Sequence, residues 1–191
     1  MTTITALLGS VTPPGRLSSA VTGALTRSEA GGHTTTFLDL GAMSIGFADG
    51  RPLDQLSDDT PALVKSIAGA DAVLLATPIY RGTLTGALKN ALDLLPIEAL
   101  QGKPVGIVAM GATLHHFLGA ESHLRDILAW FGAITLPTGV YLSSADFKDG
   151  VLTDAAAGTL DELVAALVSF AGATKAGLSL GPAPLAGARK G

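Results

Sequence analysis

The sequence contains no cysteine, which removes disulfide frameworks, thiolate zinc sites and cysteine nucleophiles from consideration. It has no Gly-x-Ser-x-Gly elbow, so serine hydrolase chemistry lacks its main signal. Charge of one sign is missing too. Lys and Arg number 12 against 16 Asp and Glu, scattered along the chain to a net charge of −4, which leaves no electrostatic footprint for nucleic acid or a membrane surface. The hydrophobic fraction is 48% and the mean hydropathy +0.46. Yet no run approaches the roughly 18 apolar residues of a membrane span. The apolar surplus is expected in a sheet covered on both faces and in a subunit interface. The amino terminus carries no basic segment before its first apolar run, so no signal peptide is expected and the cytoplasm is the default compartment. A chain of 191 residues is long enough for one domain with a full core and short for two. Residues 1–173 read as that domain. From Thr174 the composition turns Gly-, Ala- and Pro-rich, the mark of a mobile tail over 174–191.

What is present is an alternation of short apolar runs with helical stripes. Strands are expected at Ile4 to Leu8, Thr34 to Leu38, Ala72 to Ala76 and Val105 to Met110. A fifth falls between Ala133 and Leu142, interrupted by Pro137. Helices are expected after Ser18 or Ser19 as N-cap, after Thr60-Pro61, from Leu84 to the stop at Pro96, and beyond the lead-in segment Leu114 to Leu118, reaching Trp130 and ending about Gly132. A last helix is capped by Thr159 with Glu162, or starts earlier at Asp154 with Gly158 inside it. Lys89 and Asp93 stand at a spacing that suits a weak ion pair. The Gly- and Asp-rich segment 41–59 argues against regular structure and suggests a flap or contact surface near a site. Such an alternation indicates one doubly wound α/β sheet, whose ligands bind beyond the carboxyl ends of the strands.

Two of those strand ends carry unusual chemistry. The first strand opens into Gly9-Ser10-Val11-Thr12-Pro13-Pro14-Gly15-Arg16-Leu17-Ser18-Ser19, a hydroxyl-rich loop before a helix and so a phosphate cradle in outline. Its spacing matches neither the dinucleotide fingerprint nor the Walker loop, which argues for a mononucleotide phosphate. Serine-rich helix starts are common, and alone this loop is a weak signal. The third strand ends in Thr77-Pro78-Ile79-Tyr80, where proline fixes the exit of the chain and Tyr80 offers a flat ring with a polar tip. On its own Tyr80 fits a core or interface ring as well as a ligand contact. His116 and His123 lie too far apart in sequence for an ordinary helical chelate, so no metal site is expected.

Thr77-Pro78-Ile79-Tyr80 followed by Gly86, Lys89, Asn90 and Asp93 resembles the signature of the NAD(P)H-dependent FMN reductase family, flavodoxin-like enzymes that serve two-component monooxygenases. The resemblance implies a flavodoxin-like five-stranded parallel sheet of order 2-1-3-4-5, with the loops after the first, third and fourth strands side by side. It implies FMN as cofactor and NADPH or NADH as hydride donor. Ser10, Arg16, Ser18 and Ser19 then fall at the FMN phosphate, and Thr77, Pro78, Ile79 and Tyr80 at the ring. Gly111, Ala112 and Thr113 would offer backbone N–H groups to the pyrimidine edge, with His116 lining the site. Leu17 and Thr12 stand where many relatives carry a serine and an arginine. The family also implies a homodimer or tetramer through the helix after Leu84, and transfer of reduced flavin to a partner monooxygenase. Alternatives are a reductase that keeps FMN bound and reduces a quinone or azo compound, and a flavodoxin-like electron carrier without nicotinamide turnover. The scarcity of aromatics, with Trp130, Tyr80 and Tyr141 beyond phenylalanine, counts against the carrier.

Overall fold

The computed structural model describes residues 1–178 and 180–182. Its elements alternate as the hydropathy pattern requires. They run β1 (Thr3–Leu8), α1 (Arg16–Ala30), β2 (Thr34–Asp39), α2 (Thr60–Gly69), β3 (Ala72–Pro78), α3 (Gly86–Asp93), β4 (Pro104–Met110) and α4 (Gly119–Phe131). Then follow β5 (Ile134–Thr135), β6 (Val140–Leu142), β7 (Phe147–Lys148), β8 (Val151–Leu152) and α5 (Asp154–Lys175). The main sheet has the order β2-β1-β3-β4-β5, with β6 also pairing to β4, all parallel. This is the flavodoxin-like arrangement. β7 and β8 form a separate antiparallel hairpin whose turn residues Asp149 and Gly150 both take positive φ, as a two-residue hairpin turn demands.

The central strands are apolar on both sides because both faces are covered. Ile4, Ala6, Leu74 and Val108 pack under α1 and α5 with Val21, Leu25, Leu160 and Leu167. Leu7, Val73, Leu75 and Ile107 face the other way, onto Leu63, Ile67, Leu88, Leu92, Leu124 and Leu128 of α2, α3 and α4. By length and composition α5 is apolar enough to cross a membrane, but its stripe from Leu160 through Leu163, Val164 and Leu167 is buried in this first layer.

Several expected boundaries move, each for a local reason. α1 starts at Arg16 with Gly15 as N-cap, so Ser18 and Ser19 lie inside its first turn; glycine tolerates the cap position nearly as well as serine. β3 runs on through Thr77 and Pro78 because Thr77 still pairs with Ala109 and Pro78 with Met110. α3 starts at Gly86, where the Thr85 hydroxyl takes the Leu88 N–H, and ends at Asp93 rather than Pro96. α5 is capped by Thr153 through the Ala156 N–H, which settles the choice of start at Asp154. Thr159 instead donates to the Ala155 carbonyl within the helix. α5 closes at Lys175, two residues into the segment expected as a tail, and 179 and 183–191 lie outside the described residues. The fifth strand breaks at Pro137 into β5 and β6. In the gap the Arg125 guanidinium of α4 donates to the Leu136 and Pro137 carbonyls, each at 2.8 Å, and pairs with Glu121 at 2.6 Å.

Candidate functional site

Because β1, β3 and β4 are neighbours, the loops that leave their carboxyl ends converge. Backbone pairing holds them together to the last residue. The Gly9 N–H donates to the Ala76 carbonyl at 2.7 Å, Ile79 N–H to Met110 at 2.8 Å, and Gly111 N–H to Leu142 at 3.0 Å.

The loop after β1 encloses a hollow of about 160 Å³ lined by Ser10, Thr12, Arg16, Leu17, Ser18 and Pro78, among others. No side chain caps α1 at its amino end, so the first N–H groups of a 15-residue helix open toward this hollow with the positive end of the helix dipole behind them. The Ser10 and Thr12 hydroxyls bond each other at 2.8 Å, which folds the loop over the helix start. Ser10 and Ser18 are almost fully buried, whereas Ser19 is exposed and not part of the lining. Arg16 sits on the rim. Its guanidinium lies 5.1 Å over the Phe147 ring and reaches the Ser144 hydroxyl at 3.4 Å. The arrangement is a ready anion site.

The loop after β3 is fixed from behind. Thr77 is completely buried; its hydroxyl donates to the Pro78 carbonyl at 2.9 Å and receives the Thr85 N–H at 3.3 Å. The Thr77 side chain thus has an internal role at the base of this loop. Thr85 joins the two loops, since its hydroxyl donates to the Gly9 carbonyl while accepting the Leu88 N–H at 3.0 Å. Glycine is required at position 9 because a Cβ there would lie 2.6 Å from the Cβ of Leu88. Tyr80 is half exposed and pairs with Thr83 across a tight turn, with Arg81 at φ 55° and Gly82 at φ 83°. α4 presses on this turn from outside. A Cβ on Gly119 would come within 2.3 Å of the Gly82 carbonyl oxygen, and His123 Nδ1 lies 2.6 Å from the Thr83 hydroxyl.

The turn after β4 differs in detail from the expectation. The Gly111 N–H is already bonded to Leu142, which leaves Ala112 and Thr113 as the backbone donors of this turn. The Tyr141 hydroxyl donates to the Thr113 carbonyl and passes so close to Gly111 that a Cβ would meet it at 2.1 Å. Burial pushes the Tyr141 hydroxyl above its ordinary pKa. His116 is exposed in a single turn, Leu114–His116. The histidines bonded to the loops are instead His115, 3.0 Å from the Thr113 hydroxyl, and His123.

The remaining signature residues shape the surroundings. Asn90 accepts from the Ala48 N–H at 2.9 Å and donates to the Gly46 carbonyl at 2.8 Å, pinning segment 41–59 against α3. Lys89 and Asp93 form the expected pair at 2.6 Å. Sequence reading missed Thr85, His123, Tyr141, Ser144 and Phe147. Thr85 had a signal, a threonine directly before a helical stripe; the others reach the site from distant segments.

An NAD(P)H-dependent FAD/FMN reductase of Geobacillus thermodenitrificans is 38% identical over 112 residues, 59% of this chain and 60% of that protein. An FMN reductase (NADPH) of Pseudomonas aeruginosa is 43% identical over 96 residues, 50% of this chain and 52% of that one. The chain therefore spans between half and two thirds of the length of these relatives. Among solved structures, an NADH:FMN oxidoreductase (EMOB) in its apo form superposes with a TM-score of 0.67 at 25% identity, over 95% of this chain and 92% of that one. The model of the NADPH-dependent FMN reductase family matches residues 2–148, and the chain belongs to that family.

Proposed function

We propose that this protein is an NAD(P)H-dependent FMN reductase that passes reduced flavin to a partner monooxygenase. The observation that carries the reading is the uncapped start of α1, facing a hydroxyl-lined hollow between the loops after β1, β3 and β4. These residues fit a flavin mononucleotide. The phosphate matches the N–H groups of the first turn, the Ser10 and Ser18 hydroxyls, and the guanidinium of Arg16. The Pro78 to Tyr80 loop and the backbone of Ala112 and Thr113 orient the ring. Held by these residues, FMN would supply the redox chemistry, that of a hydride acceptor from a nicotinamide. The chain's own task is placement and exclusion of water, and no side chain is assigned a proton transfer. Thr77, Thr85, Tyr141 and His123 act behind the loops, holding them in register. The proposal includes a cytoplasmic location and a homo-oligomer; exposed Val11 and Phe47, which line one hollow with Gly86 and Ala87 at the start of α3, favour a covered face in the assembly.

Anaerobic oxidation of NADH and NADPH, with FMN titrated from zero, tests the reading. Saturable dependence on added FMN with accumulation of reduced flavin is the expected result. Turnover that requires only bound FMN and an added quinone would replace flavin release with a quinone-type reductase. Absence of oxidation with FMN bound would overturn the reductase assignment. Arg16→Ala is expected to raise the FMN dissociation constant by about ten-fold, the scale of one charge-assisted hydrogen bond, with little change in the bound-state hydride rate.

A further inference from the structure

The arginine at the anion hollow is held differently from its counterparts elsewhere in the chain. Arg27, Arg51 and Arg125 each pair with a carboxylate, at 2.8, 2.7 and 2.6 Å, so their charge is offset within the protein. Arg16 lines the hollow and, among the described residues, forms no ion pair. Its guanidinium rests on a neutral ring, 5.1 Å over Phe147, and reaches the Ser144 hydroxyl at 3.4 Å. An aromatic face attracts a guanidinium without neutralising it, and stacking leaves the N–H groups at the edge of the plane free to donate. The charge stays available for an anion.

The ring comes from a small element that is tied at both ends. Beyond β6 the Ser143 N–H and hydroxyl both donate to Oδ2 of Asp146, at 2.7 and 2.9 Å, while the Ser143 oxygen takes the Ala145 N–H at 3.3 Å. Phe147 and Lys148 then pair with Leu152 and Val151, and the Thr153 N–H returns to the Asp146 carbonyl at 2.9 Å. A hairpin this short has little stability of its own. Here β8 lies against α1, and Phe147 and Leu152 pack onto the core layer beneath that helix. The hairpin contributes no residue to the lining of the anion hollow; its contact with that hollow runs through Arg16.

We propose that Phe147, with Ser144 beside it, is a positioning residue that holds Arg16 ready for the flavin phosphate and so makes the protein select phosphorylated flavin over riboflavin. The inference rests on the assignment of Arg16 to that phosphate. Arginine has many rotamers, and immobilising such a side chain at the moment of binding costs affinity. A ring that holds the guanidinium beforehand removes part of that cost. The benefit falls only on a ligand that carries the anion, because riboflavin presents the same isoalloxazine with nothing for Arg16 to meet.

FMN and riboflavin are each titrated into the full chain and followed by flavin fluorescence. Phe147→Leu keeps an apolar side chain in the hairpin and removes the ring; it should raise the FMN dissociation constant about three-fold, the scale of one exposed cation–π contact, and leave that of riboflavin unchanged. Phe147→Tyr restores the ring and should restore FMN affinity. In an Arg16→Ala background Phe147→Leu should have no further effect, since the two residues act as one unit. Before any flavin is added, the Nε–H signal of Arg16 in ¹H–¹⁵N spectra should carry a ring-current shift that Phe147→Leu abolishes. Equal weakening of FMN and riboflavin, or an undiminished effect of Phe147→Leu on FMN in the Arg16→Ala background, would reduce the ring to scaffold and overturn the proposal. A full effect of Arg16→Ala with none from Phe147→Leu would overturn it alone. Parent-like FMN affinity in Arg16→Ala would overturn the phosphate assignment and this inference with it.

Discussion

Thr85 is the point at which the candidate site and the stability of the fold are the same problem, and Thr85→Val isolates it. Thr85 is 4% exposed, and valine preserves its shape, so packing should change little. Two hydrogen bonds disappear. Loss of the cap on the Leu88 N–H costs about 1 kcal/mol. The Gly9 carbonyl, which receives the Thr85 hydroxyl inside the protein, is left unpaired at about 1–2 kcal/mol. The sum of about 2–3 kcal/mol corresponds to a fall in Tm of about 5–10 °C for a chain of this size. Urea and thermal unfolding followed by circular dichroism would read it. Thr85→Ser keeps the hydroxyl and loses one methyl group, so it should stay within about 1 kcal/mol of the parent. FMN affinity should follow the same ranking, weakest in the valine variant, because Gly9 begins the anion loop. A valine variant within about 0.5 kcal/mol of the parent would refute the coupling.

Other perturbations read different parts of the site. Gly119→Ala would drive a Cβ against the Gly82 carbonyl, shifting the Tyr80 turn; a loss of about 1–3 kcal/mol in unfolding free energy together with weakened flavin binding is expected. Tyr141→Phe removes the bond to the Thr113 carbonyl and should cost about 1 kcal/mol, with a raised FMN dissociation constant measured by fluorescence titration. At the opposite end of the sheet, burial acts to raise the Asp71 pKa, but Lys175 and the Thr3 N–H, both at 2.7 Å, outweigh it and hold the carboxyl below its ordinary value. Its stabilisation is therefore complete above about pH 4, the unfolded carboxyl range, and is lost as pH falls through the lower folded value. Asp71→Asn should lower stability at pH 7 and converge with the parent in acid, as pH-dependent urea midpoints would show.

The strands themselves were legible because β1, β3 and β4 are short, largely apolar runs that lead into glycine, proline or a hydroxyl residue, whereas their order, and with it the meeting of the loops, followed only from the family resemblance. The details were decided by neighbours the local pattern cannot show. The N–H of Thr85 comes back to the Thr77 hydroxyl, a bond eight residues apart that no periodicity announces. The start of α1 looked like a serine cap, but Gly15 takes that place and leaves the N–H groups open. Tyr141 reaches Thr113 across 28 residues and Ser144 reaches Arg16 across 128, separations over which periodicity carries no information. The β7 and β8 strands have two residues each, too few for alternation to register, although their Lys148-Asp149-Gly150 turn was plain.

The knot that Arg125 ties at Pro137 also decides how this sheet ends. An edge strand with free carbonyls and amides is a template for pairing with another chain. Here the β5 edge is cut to two residues and β6 to three, with a proline between them and the Leu136 and Pro137 carbonyls already taken by a guanidinium. A foreign strand finds no continuous ladder to join. The opposite edge, β2, is six residues long and half buried at most positions, so any sheet-to-sheet aggregation of this fold would begin there, and a charged residue in place of Thr36 would be the gatekeeper to add.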